Sequence, residues 1–272
     1  METLLSIQNL HTTIVDGPQP IRAVDGVNLE IGRGEILCLV GESGCGKTML
    51  ALSIGRLLPA AARITEGRVL FQGIDLLSLR AEDLQKIRGG KIAYIFQDPM
   101  SALNPVMTIG DQLAETVQLH KNLAGEALTD RITELLAEVQ IPLPKERLRQ
   151  YPHQLSGGMR QRVMIAIALA GSPALLIADE PTTALDVTTQ EEILSLIRNL
   201  QKRLRMSVLL ITHDLAAVAP ISDRTAVMRA GRIVETGTTA DLLKRPSHPY
   251  TESLLACIPR IGAGRAGAWR NP

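Results

Sequence analysis

Eight consecutive residues, Gly41-Glu42-Ser43-Gly44-Cys45-Gly46-Lys47-Thr48, limit what this chain can fold into more than any other stretch. They fit the pattern G-x-x-x-x-G-K-[ST] without a gap. The flanks fit as well. Glu35–Val40 (EILCLV) is a short apolar run that reads as a buried strand, and Thr48 to Leu58 has helical spacing that Pro59 should stop. Glycines in such a loop let backbone N–H groups turn inward around phosphate oxygens, and the helix N-terminus behind them adds the positive end of its dipole. Lys47 is long enough to reach β- and γ-phosphates, and the Thr48 hydroxyl is suited to Mg²⁺. All eight residues are therefore candidate nucleotide contacts. Taken alone, the motif serves kinases, GTPases and motor ATPases alike, and a bare strand-to-helix turn is the bland alternative.

Beyond the loop, Ile92–Phe96, Leu175–Ala178, Ser207–Ile211 and Arg224–Met228 read as strands, with helical patterns at Met159–Ala170 and Thr189–Leu204. Alternating strands and helices imply an α/β fold with a mainly parallel sheet. Leu4–Ile7, Ala23–Ile31 and Arg68–Phe71 alternate as antiparallel strands do. Between Asp98 and Tyr151 no strand is evident; Ile109–Leu119, Gly125–Val139 and Pro144–Gln150 read as an inserted helical segment. The 272 residues are 45% hydrophobic and 21% charged, ordinary values that exclude a disordered chain, and a net charge of +1 argues against a nucleic-acid-binding surface. Three cysteines, Cys38, Cys45 and Cys257, are too few for a disulfide framework or a thiolate metal site. The N-terminus lacks the pattern of a signal peptide, and the longest apolar run, Val163 to Ala178, is broken by Gly171, Ser172 and Pro173. The chain reads as cytosolic, with any membrane-spanning part on another chain.

Two further sites carry chemistry. Leu175-Leu176-Ile177-Ala178 is followed by Asp179 and Glu180 at the carboxyl end of a buried strand, where open α/β sheets bind ligands. Asp179 can hold Mg²⁺ and Glu180 can act as general base on an attacking water. Leu155-Ser156-Gly157-Gly158-Met159 begins a helix with Ser156 as N-cap, a second anion site. One nucleotide does not need two such helix ends, unless the second serves a nucleotide bound by another subunit.

This arrangement resembles the ATP-binding subunits of ABC transporters, whose signature reads LSGGQ; Ser156, Gly157 and Gly158 match, and Met159 replaces the usual Gln. The resemblance extends over residues 1–240, with the helical insertion at about 98–158, and its motifs occur in order. It implies a P-loop NTPase (RecA-like) fold with an N-terminal antiparallel β subdomain. It also implies that Gln97 contacts Mg²⁺ and the attacking water, and that Asp186, in Thr183-Ala184-Leu185-Asp186, crosses to the opposite subunit. His213 is the switch histidine at the γ-phosphate by the same resemblance. The aromatic on which this family stacks adenine is missing, since no aromatic precedes Phe71. Ile14 or Val15 is the expected apolar substitute, with looser discrimination between ATP and GTP. Cys45, at a helix N-terminus, is expected to have a lowered thiol pKa.

The tail, residues 241–272, contains Arg245-Pro246-Ser247-His248-Pro249-Tyr250-Thr251 and resembles the C-terminal element of oligopeptide, dipeptide and nickel importer ATPases. With Cys257 alone there, no iron–sulfur cluster is expected. The resemblance implies an ATPase, using ATP and Mg²⁺, at the cytoplasmic face of the membrane. Its implied partners are a second homologous ATPase subunit or another copy of itself, two transmembrane permease subunits and an extracytoplasmic solute-binding protein. The cargo reads as di- or oligopeptides, or alternatively nickel or a metal chelate. DNA-repair ABC ATPases are disfavoured because the insertion has no sustained heptads.

Overall fold

The computed structural model describes residues 2–16, 19–97 and 102–256. Two sheets organise the chain. In the first, β1 (Thr3–Ile14), β2 (Ile21–Gly32), β4 (Ala62–Phe71) and β5 (Ile74–Asp75) lie antiparallel in the order β2-β1-β4-β5. The strands run further than alternation indicates. Register shifts between Ile7 and Thr13 let β1 stay paired through Asn9, whose φ is 45°, and the polar residues beyond it.

The second sheet has the order β10-β9-β3-β8-β7-β6. Strands β3 (Ile36–Val40), β6 (Ile92–Ile95), β7 (Leu175–Asp179), β8 (Ser207–Thr212) and β9 (Arg224–Arg229) pair in parallel. Strand β10 (Arg232–Thr238) closes one edge antiparallel to β9. A parallel strand covered on both faces reads as a continuous apolar run, and β3 shows why. Ile36, Cys38 and Val40 face one core, shared with the helices, while Leu37 and Leu39 face the other, between the two sheets.

Helix α1 (Lys47–Ile54) stops at Gly55, short of Pro59. A Cβ at Gly55 would collide with the Tyr94 ring, and the Gly55 carbonyl accepts from Arg88 Nε at 2.8 Å. The Tyr94 hydroxyl donates to the Ala51 carbonyl, so the last turn is closed by side chains from another element. Helix α2 (Ala81–Ile87) follows, one of several short elements that periodicity did not announce. The inserted segment carries α3 (Ile109–Lys121), α4 (Gly125–Glu138) and α5 (Pro144–Arg147). Helix α5 ends earlier than expected because the Ile109 and Gly110 N–H groups take the Gln150 and Leu148 carbonyls.

Helices α6 (Gly157–Leu169) and α7 (Val187–Leu204) cover the sheet on the helical side. Short helices α8 (Leu215–Val218), α9 (Thr239–Lys244) and α10 (Pro249–Ala256) complete the described chain. Cys257 and the Gly/Ala/Arg-rich end lie outside the described residues, as does Asp98 at the start of the insertion. Among the described residues, no helix is long and apolar enough to cross a membrane.

Candidate functional site

Strands β3, β8 and β7 lie side by side, and the segments leaving β3, β6 and β7 meet at a cleft of about 580 Å³ together with Ala230 and Gly231 after β9. Its floor is Ser43 through Met49; Gln97 and Glu180 stand on one side, and Ile14, Ile21, Arg22 and Ala23 on the other. The loop glycines are required where they stand. Gly44 and Gly46 have φ of 79° and 109°, which side chains with a Cβ rarely adopt. A Cβ at Gly46 would also strike the Ala23 carbonyl, and one at Gly41 the Met228 carbonyl. The loop is thereby wedged between the two sheets.

Lys47 is buried, and its Nζ donates to the Gly41 carbonyl at 2.8 Å and the Glu42 carbonyl at 2.9 Å. An ammonium has three donors; the third meets only the Cys45 sulfur at 3.8 Å, a weak acceptor that a phosphate oxygen can replace. Cys45 is buried beside it, with Sγ 3.8 Å from Nζ. Burial pushes the Cys45 thiol up, against the pull of the Lys47 charge. The expectation of a lowered thiol pKa is therefore wrong: removing the sulfur from water outweighs the ammonium beside it.

Asp179 ends β7 as a buried carboxylate whose Oδ1 has no hydrogen-bond partner. Burial pushes its carboxyl up and Glu180 adds to this, while the Thr48 hydroxyl and Lys47 pull the other way. A desolvated carboxylate with a free oxygen, touching a hydroxyl at a phosphate loop, fits the oxygen-donor preference of Mg²⁺. Thr48 and Asp179 are the residues that would hold it.

Glu180 follows in the left-handed region, with φ of 47°. For a residue with a Cβ this costs about 1 kcal/mol or more. The conformation is held by its own N–H, which donates to the Ile211 carbonyl at 2.9 Å. It aims the carboxylate into a polar cage. Thr183 Oγ1 donates to Oε2 at 2.8 Å, Gln97 Nε2 donates to the same oxygen at 3.1 Å, and His213 Nδ1 lies 3.2 Å from Oε1. Partial burial opposes ionisation, but the Thr183 and His213 contacts outweigh it and hold the carboxyl below its ordinary value. Glu180 is thus an anion at neutral pH, able to accept a proton from water. Thr183 was legible only as part of the TALD run, and Ile21 in the apolar wall was missed. Ile14 lines that wall but Val15 does not.

Ser156, Gly157, Gly158 and Asp186 are not among the residues lining this cleft. Ser156 Oγ caps α6 by accepting from the Met159 N–H at 3.3 Å. A Cβ on Gly158 would come 2.8 Å from the Thr189 methyl, so the glycine lets α6 start against the start of α7. Asp186 caps α7, accepting from the Thr189 N–H at 2.9 Å and its hydroxyl at 2.7 Å. Ser43 through Thr48, Gln97 and Glu180 line the cleft; Gly41 and Glu42 are tied to it through Lys47, Asp179 through Thr48 and His213 through Glu180, whereas the Ser156–Gly158 helix start and Asp186 lie outside it.

Known proteins resemble this chain over nearly its whole length. The profile of the ABC transporter family matches residues 24–183, and that of the oligopeptide/dipeptide transporter C-terminal region matches residues 234–271. The dipeptide transport ATP-binding protein DppD of Bacillus subtilis is 50% identical, over 96% of this chain and 78% of its own. The oligopeptide transport ATP-binding protein OppD of the same organism is 48% identical, over 95% of this chain and 72% of its own. The ATP-binding cassette MJ0796, solved as a dimer in a post-hydrolysis state bound to ADP and phosphate, superposes with a TM-score of 0.77 at 31% identity. That superposition covers 86% of this chain and 98% of the cassette.

Proposed function

The chain belongs to the ABC transporter family as an ATP-binding, ATP-hydrolysing subunit, and from that premise we propose how its residues act and what they power. The phosphate loop, Gly41 through Thr48, receives the nucleotide phosphates through backbone N–H groups, and Lys47 adds a charge-assisted hydrogen bond. Thr48 and Asp179, with Gln97, are the residues that would hold Mg²⁺, which would supply charge neutralisation on the phosphates. Glu180 takes a proton from the attacking water. Thr183 and Gln97 orient its carboxylate, and His213 stands beside it to meet the terminal phosphate.

Ser156, Gly157, Gly158 and Asp186 act on the nucleotide of a facing subunit, either a homologous ATPase or a second copy. Their position outside the cleft supports this division, as does the dimeric state of the cassette MJ0796. Closure of the pair works as a conformational switch, because ATP binds the closed state better than the open one. Two permease subunits in the membrane, which anchor the chain at the cytoplasmic face, convert that closure into transport of cargo delivered by a solute-binding protein. The cargo is di- or oligopeptide; the names of DppD and OppD and the match over residues 234–271 support this. ATP-driven uptake by the reconstituted transporter should be competed by dipeptides; uptake of a nickel chelate untouched by peptide would overturn that assignment.

The observation that carries the catalytic reading is the Glu180 carboxylate, caged by Thr183, Gln97 and His213 in the cleft that holds Lys47. Glu180→Gln keeps the shape and hydrogen bonding but cannot take a proton. It should bind ATP within a few-fold of wild type while phosphate release falls by about 10²–10⁴. Retention of near-normal turnover would remove Glu180 as the base.

A further inference from the structure

The C-terminal element reaches the phosphate loop through one side chain. Tyr250, in the first turn of α10, is 5% exposed, and its hydroxyl accepts from the Glu42 N–H at 3.1 Å across 208 residues of sequence. That N–H belongs to the Gly41–Glu42 peptide unit. The carbonyl on the opposite edge of the same unit, that of Gly41, accepts from Lys47 Nζ at 2.8 Å. One peptide plane is therefore clamped from both sides, by the phenol on one edge and the ammonium on the other.

Tyr250 is itself fixed. The Arg229 guanidinium lies 4.8 Å from its ring centroid, a cation–π contact from the end of β9. The turn before α10 is tied to β10 by Glu235, which accepts from the Ser247 N–H and hydroxyl, each at 2.8 Å, and from the His248 N–H at 3.1 Å. The phenol is thus a rigid post standing on the edge of the parallel sheet.

We propose that Tyr250 is a positioning residue for nucleotide binding: by holding the Gly41–Glu42 peptide in one orientation, it keeps the Gly41 carbonyl on Lys47 and the remaining Lys47 N–H directed at the phosphates. The proposal rests on the reading of this loop as the phosphate site. Without the phenol hydroxyl the Glu42 N–H loses its partner, the peptide is free to rotate, and the ammonium is no longer preorganised. The C-terminal element becomes a working part of the phosphate site.

The test compares wild type with Tyr250→Phe in the full chain, which keeps the ring on Arg229 and removes only the acceptor. Affinities for ATP, ADP and AMP are measured by competition against a fluorescent ATP analogue, and the nucleotide-free melting temperature is recorded in parallel. The dissociation constants for ATP and ADP should rise about three- to tenfold, the effect of one hydrogen bond. AMP, whose single phosphate falls short of Lys47, should bind as before, and the melting temperature should move by no more than about 2 °C. Unchanged ATP and ADP affinities would overturn the proposal. So would an equal loss for all three nucleotides together with a lowered melting temperature, which marks a purely structural role. A wild-type chain that binds neither ATP nor ADP would instead sink the functional reading on which the proposal stands.

Discussion

At Cys45, sequence position and burial push in opposite directions. A helix N-terminus and the neighbouring Lys47 favour the thiolate, yet the sulfur is buried under the loop and its pKa is raised. The nucleophile is the thiolate, so its fraction at neutral pH sets the alkylation rate. Maleimide labelling of Cys45 should be slow near pH 7, rise about tenfold per pH unit through pH 9, and be blocked by ATP occupying the loop. Fast labelling at neutral pH that ATP does not slow would contradict both the burial and the placement of the nucleotide. Glu180 shows the reverse balance: its polar cage overcomes partial burial and keeps the carboxyl ionised. The two residues differ because at the thiol burial outweighs the Lys47 charge and weak sulfur hydrogen bonds, whereas Glu180 faces the side chains of Thr183, Gln97 and His213.

Among the elements, α7 starts at an exposed cap, Asp186, which the proposed function also uses. Asp186 satisfies the Thr189 N–H at the open end of an 18-residue helix. Asp186→Ala should lower the unfolding free energy by about 1 kcal/mol, measured by denaturant titration of the single subunit. Stability unchanged to within about 0.3 kcal/mol would mean that the cap contributes nothing. The loop, the strands β3, β7 and β8, and helices α3, α4, α6 and α7 were legible because each carries its own period, cap or motif. What was not legible depends on distant partners. Helix α1 ends at Gly55 because Tyr94 and Arg88 close it, and β1 continues past Asn9 because register shifts preserve its pairing. Strand β10 is half-buried along most of its length and gave no clean alternation. Tyr250 was visible as part of a family string, but nothing local announces a hydrogen bond to Glu42. The apolar wall at Ile14 was expected from a missing aromatic; its continuation at Ile21 comes from the pairing of these two residues across β1 and β2, which periodicity does not reveal.

For the whole molecule, two long-range ties decide how the chain works. One joins the C-terminal element to β10 through Glu235. Burial works against its ionisation, but the Thr251 hydroxyl first, then the hydrogen bonds from Ser247 and His248, bring its pKa down to about 2 from 4.5. A carboxyl depressed in the folded state contributes stability that is full above its unfolded value and is lost as pH falls through the folded one. Hydrogen-exchange protection of the amides in residues 249–256, relative to those of β3, should therefore decline between pH 4.5 and pH 2. Glu235→Gln should remove that decline; an unaltered pH profile in the variant would count against the tie.

The second tie, on the proposed reading, joins this chain to a facing subunit. The phosphate loop and the Ser156 helix end occupy different places on one chain, and on the division of contacts proposed above a complete catalytic pocket needs a facing subunit. The direct measurement is ATP turnover per chain across a dilution series, with the association state followed by sedimentation and Ser156→Ala run alongside. Turnover should vanish where only single chains remain, and wherever pairing does yield turnover, Ser156→Ala should depress it. Steady turnover by isolated chains, indifferent to Ser156, would contradict the account.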